Sequence, residues 1–325
     1  MFVLGLQGSP RKKGNTSALL SAFLDQAGKL GAETEYLDVP GKKISPCIEC
    51  GTCEREGFCS IKDDMQEIYS QLRRADIVVM GTPVFFYGPT AQMKALIDRS
   101  QALWARRYVH KLTDPLSKWR QGLLLAVGAT KGQNLFEGLN LTTKYFFDAL
   151  GASFEGVLGY RQIEGPGEIN RHPTALEDAK EKAEAMVSPL MKRKRVLFVC
   201  TENACRSQMA SAFTQHMAGD LIEAESAGSA PAQKINPVVM DVMAEKGIDV
   251  AYQQPKPIEK AVSRFRPDLI VSMGCKEACP FLPDVRNEEW DLEDPAGKPI
   301  EFTRGIRDDI EERVKELIIK TKGKP

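Results

Sequence analysis

The sequence predicts an α/β protein of two doubly wound parallel-sheet domains in tandem, residues 1–191 and 192–325. Three observations carry that expectation. Short apolar runs alternate with segments whose apolar residues recur at helical spacing, the pattern of parallel strands joined by crossover helices. The alternation halts at the charged run KRKR, Lys192 to Arg195, and then begins again. A length of 325 residues suits two cores better than one, and each half holds enough Val, Ile, Leu and Phe to fill its own.

FVLGLQ (Phe2 to Gln7) opens the first half as a strand ending in a Gly-Ser-Pro turn, and ALLSAFLDQAGKLG follows as a helix. TEYLDV reads as the second strand; ADIVVMGTP, QGLLLAVG and ASFEGVLGY supply three more. MKALIDRSQALW and LTTKYFFDALG show helical spacing between them, and a helix over about 173–191 closes the unit. In the second half the strand RVLFVC leads into a helix from about Arg206, then the strand IEAESAG, a helix around PVVMDVMAEKG, the strand DLIVSMG and an amphipathic helix over 304–319. The two halves share architecture but no repeated sequence.

Lys plus Arg equals Asp plus Glu, so no net field argues for a nucleic-acid or membrane partner, and KRKR reads as a solvated linker. No apolar run approaches the roughly 20 residues of a membrane helix, and no signal peptide precedes the first strand. The expectation is a soluble, cytoplasmic protein. Its eight cysteines are then thiols rather than a disulfide scaffold. Cys47, Cys50, Cys53 and Cys59 crowd one loop, whereas Cys200, Cys205, Cys275 and Cys279 lie in the second half.

CTENACRSQ sets Cys200 at the end of a strand and Arg206 at the start of a helix. Between them Thr201, Glu202, Asn203, Ala204 and Cys205 form a turn whose N–H groups converge on one point, where the helix dipole adds positive potential. A tetrahedral oxyanion suits that cradle, with the Arg206 fork on two of its oxygens. The same field favours a thiolate, which makes Cys200 a nucleophile. CTENACRSQMA resembles the signature loop of low-molecular-weight tyrosine phosphatases and, more closely, of the arsenate reductases that share their fold. The resemblance spans about 195–319. It implies that Asp294, in EDPAG, is the general acid, although the Tyr that follows Asp-Pro in phosphatases is absent. It further implies that Asn203 and Ser207 shape the loop and hydrogen-bond the thiolate, and that Cys205 is structural. MGCKEACP adds the thiols a reductase needs. In the implied scheme Cys275 attacks the sulfur of Cys200, releasing arsenite, and Cys279 then moves the disulfide outward to Cys275–Cys279.

GSPRKKGNTS lacks both the Lys-Ser/Thr ending of a triphosphate loop and a G-x-G-x-x-G fingerprint. Ser9, Arg11, Asn15, Thr16 and Ser17 suit a single phosphate at a helix N-terminus instead. After the third strand, Pro83, Val84, Phe85, Phe86 and Gly88 offer a shaped rim for a flat ring. Together these resemble the flavodoxin-like NAD(P)H oxidoreductases that bind FMN. PCIECGTCEREGFCSIKDDM has the spacing C-x2-C-x2-C-x5-C, a tight set of thiolates. It resembles the iron–sulfur flavoproteins, which implies a 4Fe–4S cluster at Cys47, Cys50, Cys53 and Cys59 and an oligomer, a homodimer or larger. Zinc is the competing ligand for four thiolates, and related flavoproteins retain some of these cysteines without a cluster.

The fusion points to arsenate reduction with a built-in electron supply, drawn from NAD(P)H or ferredoxin through FMN. Two other readings stand beside it. One is an independent flavin oxidoreductase joined to a thioredoxin-coupled arsenate reductase; the other is a redox-regulated phosphatase.

Overall fold

A computed structural model describes residues 1–274, 282 and 285–323. Two compact units divide the chain, one comprising 1–111 with 117–191, the other 112–116 with 192–325.

The first unit contains β1 (Phe2–Gln7), α1 (Asn15–Lys29), β2 (Glu33–Asp38), α2 (Thr52–Glu56), α3 (Met65–Arg74), β3 (Ile77–Pro83), α4 (Ala91–Arg99) and α5 (Gln101–Tyr108). It continues with β4 (Gln121–Val127), α6 (Glu137–Leu150), β5 (Ser153–Tyr160) and α7 (Ala175–Leu190). Its five strands are all parallel, in the order β2-β1-β3-β4-β5. The inner strands β1, β3 and β4 are almost wholly buried and correspondingly apolar, as strands covered on both faces must be. Because β1 pairs with β2 on one side and β3 on the other, the loops after β1 and β3 diverge and leave a crevice at their carboxyl ends.

α1 buries Leu19, Leu20, Phe23, Leu24 and Ala27 on a single stripe. α7 joins the same core through Ala175, Ala179 and Ala183, small side chains at every fourth position. Arg120 is buried and fixes the opposite end of the sheet. Its Nε donates to Ala75 O at 2.9 Å, Nη1 to Leu150 O at 2.7 Å and Nη2 to Arg73 O at 2.6 Å. The continuous helical pattern of MKALIDRSQALW is broken at Ser100, which is both the C-cap of α4 and the N-cap of α5, with its hydroxyl donating to Leu96 O at 3.0 Å.

The second unit contains β6 (Lys194–Cys200), α8 (Arg206–Ala218), β7 (Ile222–Gly228), α9 (Pro237–Ala244), α10 (Ile258–Arg264), β8 (Leu269–Ser272), β9 (Arg286–Glu289) and α11 (Ile300–Lys322). Its parallel sheet has the order β7-β6-β8-β9, which again places the first strand inside. KRKR is therefore not a free linker. Lys194 and Arg195 begin β6, and the buried Arg193 donates to Gly219 O at 3.0 Å. α8 buries residues around almost its whole circumference, from Arg206 through Thr214. Its polar side chains find internal acceptors: Thr214 Oγ1 donates to Ala210 O at 2.8 Å and Ser211 Oγ to Ala224 O at 3.3 Å. α11 begins earlier than its amphipathic pattern, right after Pro299, and seats Ile310, Val314, Leu317 and Ile318 in the core. Among the described residues, no helix is long and apolar enough to cross a membrane.

Two stability measurements follow. A Cβ on Gly122 would come within 2.5 Å of the buried Phe147 ring. Gly122→Ala should therefore destabilise the first unit by about 1–3 kcal/mol in urea unfolding. In the second unit, Glu245 accepts from Arg304 Nη2 at 2.6 Å and Arg307 Nη1 at 2.8 Å. These contacts, Arg304's first, lower its pKa from an ordinary 4.5 to about 2. A depressed carboxylate contributes its stability in full above the ordinary value and loses it on acidification. Thermal unfolding of Glu245→Gln should thus show a lowered Tm at neutral pH, with the difference from wild type shrinking as pH falls from about 4.5 towards about 2.

Candidate functional site

Cys200 ends the interior strand β6 and is buried, and the following residues form a tight loop into α8. Every carbonyl of that loop from Cys200 to Ala204 is taken from outside. Ser229 N donates to Cys200 O at 3.2 Å, Ala230 N to Thr201 O at 2.8 Å, Ala232 N to Glu202 O at 2.9 Å and Asn236 N to Ala204 O at 3.1 Å. Gln208 Nε2 donates to Asn203 O at 2.9 Å. With its carbonyls committed outward, the loop turns its N–H groups to the concave side, and no side chain caps the N-terminus of α8.

Asn203 holds this shape. Its backbone is left-handed, with φ of 51°, a region Asn tolerates better than most residues. Its Oδ1 accepts from Lys256 N at 2.9 Å, and its Nδ2 donates to Ser207 Oγ at 2.9 Å. Ser207 Oγ in turn lies 3.0 Å from Cys200 Sγ. With the amide donating to the hydroxyl oxygen, the hydroxyl proton is free to point at the sulfur. Gly228 is required beside the loop, since a Cβ there would stand 2.6 Å from Thr201 O.

The Arg206 side chain is almost fully buried. Nη1 donates to Leu292 O at 2.9 Å, Nη2 donates to Asp294 Oδ2 at 2.6 Å, and Nε is buried with no hydrogen-bond partner among the described residues. Gly274, at φ 75°, leaves room for the guanidinium, for a Cβ there would meet Nη1 at 2.8 Å. Asp294 is half-exposed, and its Oδ1 accepts from Ala296 N at 3.0 Å. The loop thus brings Cys200, Asn203, Ser207, Arg206 and Asp294 together. Cys205 is also buried, and its pKa is pushed up to about 12, by burial first and then by the Cys200 sulfur. It stays a neutral thiol. Cys275 and Cys279 lie outside the described residues. Gly274, directly before them, accepts from Thr201 Oγ1 at 3.5 Å.

In the first unit Gly14 caps α1 without any side-chain hydrogen bond, and Ser9 and Thr16 are buried beside that N-terminus. Ser9 Oγ accepts from Arg11 N at 3.2 Å. Arg11 and Asn15 reach to the loop after β5: Arg11 Nη1 donates to Glu164 O at 3.4 Å, Asn15 Nδ2 to Gly165 O at 2.9 Å, and Ile169 N to Asn15 Oδ1 at 3.2 Å. Ser17 Oγ lies 2.9 Å from Tyr36 OH. An uncapped helix N-terminus with hydroxyls in its first turn fits a phosphate. The rim after β3 is a tight turn in which Phe85 and Gly88 exchange backbone hydrogen bonds of 2.9 Å, and Phe86 and Tyr87 take φ of 48° and 63°. Positive φ at both inner positions marks a primed turn, and on bulky residues it is strained. Phe85 and Phe86 are not core residues, being 50% and 103% exposed. The sequence reading missed Thr90, the N-cap of α4, whose hydroxyl donates to Gly8 O at 2.6 Å and so ties the loop after β1 to the one after β3.

Among the described residues no three His, Cys, Asp or Glu side chains close on a single-ion site. The thiols of Cys47, Cys50, Cys53 and Cys59 share one partly exposed loop instead. Burial first, and then the charges of Cys59 and Cys47, raise the pKa of Cys53. Cys50, beside Ser60 Oγ at 3.3 Å and Thr52 Oγ1 at 3.4 Å, is lowered to about 7. Four soft sulfur donors in one short segment, at C-x2-C-x2-C-x5-C spacing, are the donor set that suits an iron–sulfur cluster.

These two sites define a flavin-reductase fold followed by a cysteine-dependent oxyanion fold. Residues 1–152 match the family described as NADPH-dependent FMN reductase, and residues 195–324 match the low molecular weight phosphotyrosine protein phosphatase family. An iron–sulfur flavoprotein of Methanocaldococcus jannaschii is 44% identical over 32% of this chain and 53% of its own length. Another, from Archaeoglobus fulgidus, is 41% identical over 41% of this chain and 66% of its own length, so the match spans between half and two thirds of these relatives. Arsenate reductase 2 of Staphylococcus haemolyticus is 38% identical over 37% of this chain and 92% of its own length. Through its second unit the chain belongs to the family of the arsenate reductases that match the low molecular weight phosphatase fold, and its first unit carries the match to the FMN reductase family over residues 1–152.

A hydrogen bond to a charged group is worth about 1.5–3 kcal/mol. Ser207→Ala should therefore slow iodoacetamide uptake by the Cys200 peptide at pH 7 by about tenfold or more, read by mass spectrometry of the digest.

Proposed function

We propose that the chain reduces arsenate to arsenite at Cys200 and restores its own thiols with electrons from the flavin unit. The observation that carries this reading is the Asn203–Ser207–Cys200 chain lying in a loop that also holds the buried, incompletely paired Arg206. Arsenate enters as an anion and takes up the Arg206 fork, including Nε, in exchange for part of the contact with Asp294. Cys200 Sγ attacks arsenic while Ser207 stabilises the sulfur; an arsenic–oxygen bond breaks, and Asp294, freed from the guanidinium and half-exposed, takes a proton from solvent and passes it to the departing oxygen, which leaves as water. Cys275 then forms a bond to Cys200 Sγ; the sulfur–arsenic bond breaks and its electron pair leaves with arsenic as arsenite. Cys279 displaces Cys200 from Cys275, which leaves a Cys275–Cys279 disulfide and a free Cys200 thiolate. The missing Tyr after Asp294-Pro295 and the thiol pair favour this chemistry over phosphoester hydrolysis. The neutral Cys205 supports a structural role for that residue.

In the first unit Ser9, Arg11, Asn15, Thr16 and Ser17 would hold the FMN phosphate, the 83–88 turn would border the ring, and Cys47, Cys50, Cys53 and Cys59 would hold a 4Fe–4S cluster. These groups would supply, from NAD(P)H or ferredoxin, the two electrons that each disulfide consumes. The phosphate would sit at the start of α1, between loops that the Thr90 hydroxyl ties together through Gly8 O. A homodimer or larger assembly is supported by the exposed aromatics Phe85, Phe86 and Tyr87 and by Leu141 and Tyr145, one turn apart on the outer face of α6.

The test is anaerobic arsenite production by cluster-reconstituted, FMN-loaded protein, given arsenate and NAD(P)H or reduced ferredoxin, with no thioredoxin or added thiol. Repeated turnovers, lost in Cys279→Ser, are expected. A single burst of about one arsenite per chain, restarted only by an external thiol system, would retain the arsenate chemistry and reject the internal supply. Phenyl phosphate hydrolysis that survives Cys275→Ser with Cys279→Ser, without arsenite formation, would reject both.

A further inference from the structure

The cysteine loop carries few apolar side chains, yet Arg99 of α4 and Arg106 of α5 tie it down, and His110, just beyond α5, lies against it. Arg99, at the end of α4, has a fully buried side chain. Its Nη1 donates to Asp63 Oδ2 at 2.7 Å and to Ser45 O at 2.9 Å, and its Nη2 donates to Asp63 Oδ1 at 3.1 Å and Ile61 O at 3.2 Å. Asp63 completes the knot by accepting from Ser45 N at 2.9 Å and Met65 N at 3.1 Å. One planar fork therefore joins the residue two before Cys47 to the residues two and four after Cys59. The middle of the loop rests on α5. Arg106 Nη1 donates to Gly57 O at 3.2 Å, and the Arg106 guanidinium sits 4.7 Å from the centre of the Phe58 ring. His110 Nε2 lies 3.2 Å from Cys53 O. Gly57, at φ 77°, makes the Arg106 contact possible, since a Cβ there would stand 2.6 Å from Nη1.

We propose that Arg99 and Asp63 are positioning residues that close the 45–63 loop before any cluster is present, so that the four thiols are offered to it as a preformed set. A loop of this length with few apolar contacts has only hydrogen bonds and ion pairs to offset its conformational entropy. The Arg99–Asp63 pair provides them inside the protein, where the fork is shielded from water and meets four acceptor atoms. The charge bears on the thiols as well. Arg99 Nη2 donates to Ile61 O, two residues after Cys59, so its positive charge lies beside the thiol end of the loop. The inference rests on the reading of these cysteines as cluster ligands, and its test separates the two.

Amide hydrogen exchange of the full-length, cluster-free protein is compared with that of Asp63→Asn, which keeps side-chain volume, and of Arg99→Lys and Arg99→Met. In the wild type, segment 45–63 should exchange much more slowly than an unfolded peptide. Asp63→Asn and Arg99→Met should raise that rate at least tenfold while β1, β3 and β4 stay protected. Iron and sulfide bound per chain after anaerobic reconstitution should fall by more than half in both variants. The midpoint potential of whatever cluster forms should fall in Arg99→Met and return towards wild type in Arg99→Lys, a response that loop folding alone would not give. Unprotected exchange in the wild type, or full iron loading of Asp63→Asn at an unchanged exchange rate, would overturn the proposal. If the wild type binds no iron but its loop is protected and the variants lose that protection, the staple stands and the cluster reading falls.

Discussion

A guanidinium taken out of water must find an acceptor for each N–H it presents, and this requirement organises both units. Arg120 gathers the carbonyls of Arg73, Ala75 and Leu150, at or just beyond the ends of α3 and α6, where the helix dipole favours a cation. Arg99 gathers the two ends of the cysteine loop. Arg206 gathers Leu292 O and Asp294 and keeps Nε in reserve. The first has a backbone carbonyl on each of its three nitrogens and is purely architectural. Arg99 and Arg206 each keep a buried Nε without a hydrogen-bond partner among the described residues, and Arg206 does so at the start of α8, beside the loop that holds Cys200. An interior cation with an unused donor favours whatever anion can reach it, whereas one with every donor matched favours only the fold it already has.

Much of the architecture was legible because it rests on local periodicity. β1, β3, β4 and the part of β6 after Arg195 are mostly apolar, and the loops that follow β1 and β6 announce themselves by composition. What escaped was set by contacts distant in sequence. β9 reads RNEE and has no apolar face; it exists because β8 offers it a free backbone edge. α3, by contrast, carries a clear pattern of its own, with Met65, Ile68, Tyr69 and Leu72 at helical spacing, whereas α10 spans only Ile258–Arg264. The break between α4 and α5 at Ser100 leaves the apolar spacing intact, so a single helix was the natural expectation. Arg193 looked like linker charge, but the acceptor that buries it lies 26 residues away.

The oxyanion site was more legible than the flavin site for the same reason. Cys200, Asn203, Arg206 and Ser207 are close in sequence, so their spacing encodes their geometry. Asp294 needed the resemblance, because nothing within its own segment reveals Arg206 as its partner. In the flavin unit, Arg11 and Asn15 were legible as donors near a helix start, but their bonds to the loop after β5 are fixed by the tertiary fold. Arg99 and Asp63 are the clearest case. Each reads as an ordinary surface charge, and their common role appears only when residues 36 positions apart are brought together.

The second sheet has one further consequence for the protein in concentrated solution. β9 is its outer strand, and it is four residues long, polar at every position and charged at three of them. An exposed strand edge is a template on which another chain can add in register, and brevity with charge is the usual defence. Any added strand would have to align its own side chains against Arg286, Glu288 and Glu289 and would gain few backbone bonds in return. Sheet growth from this side is therefore disfavoured.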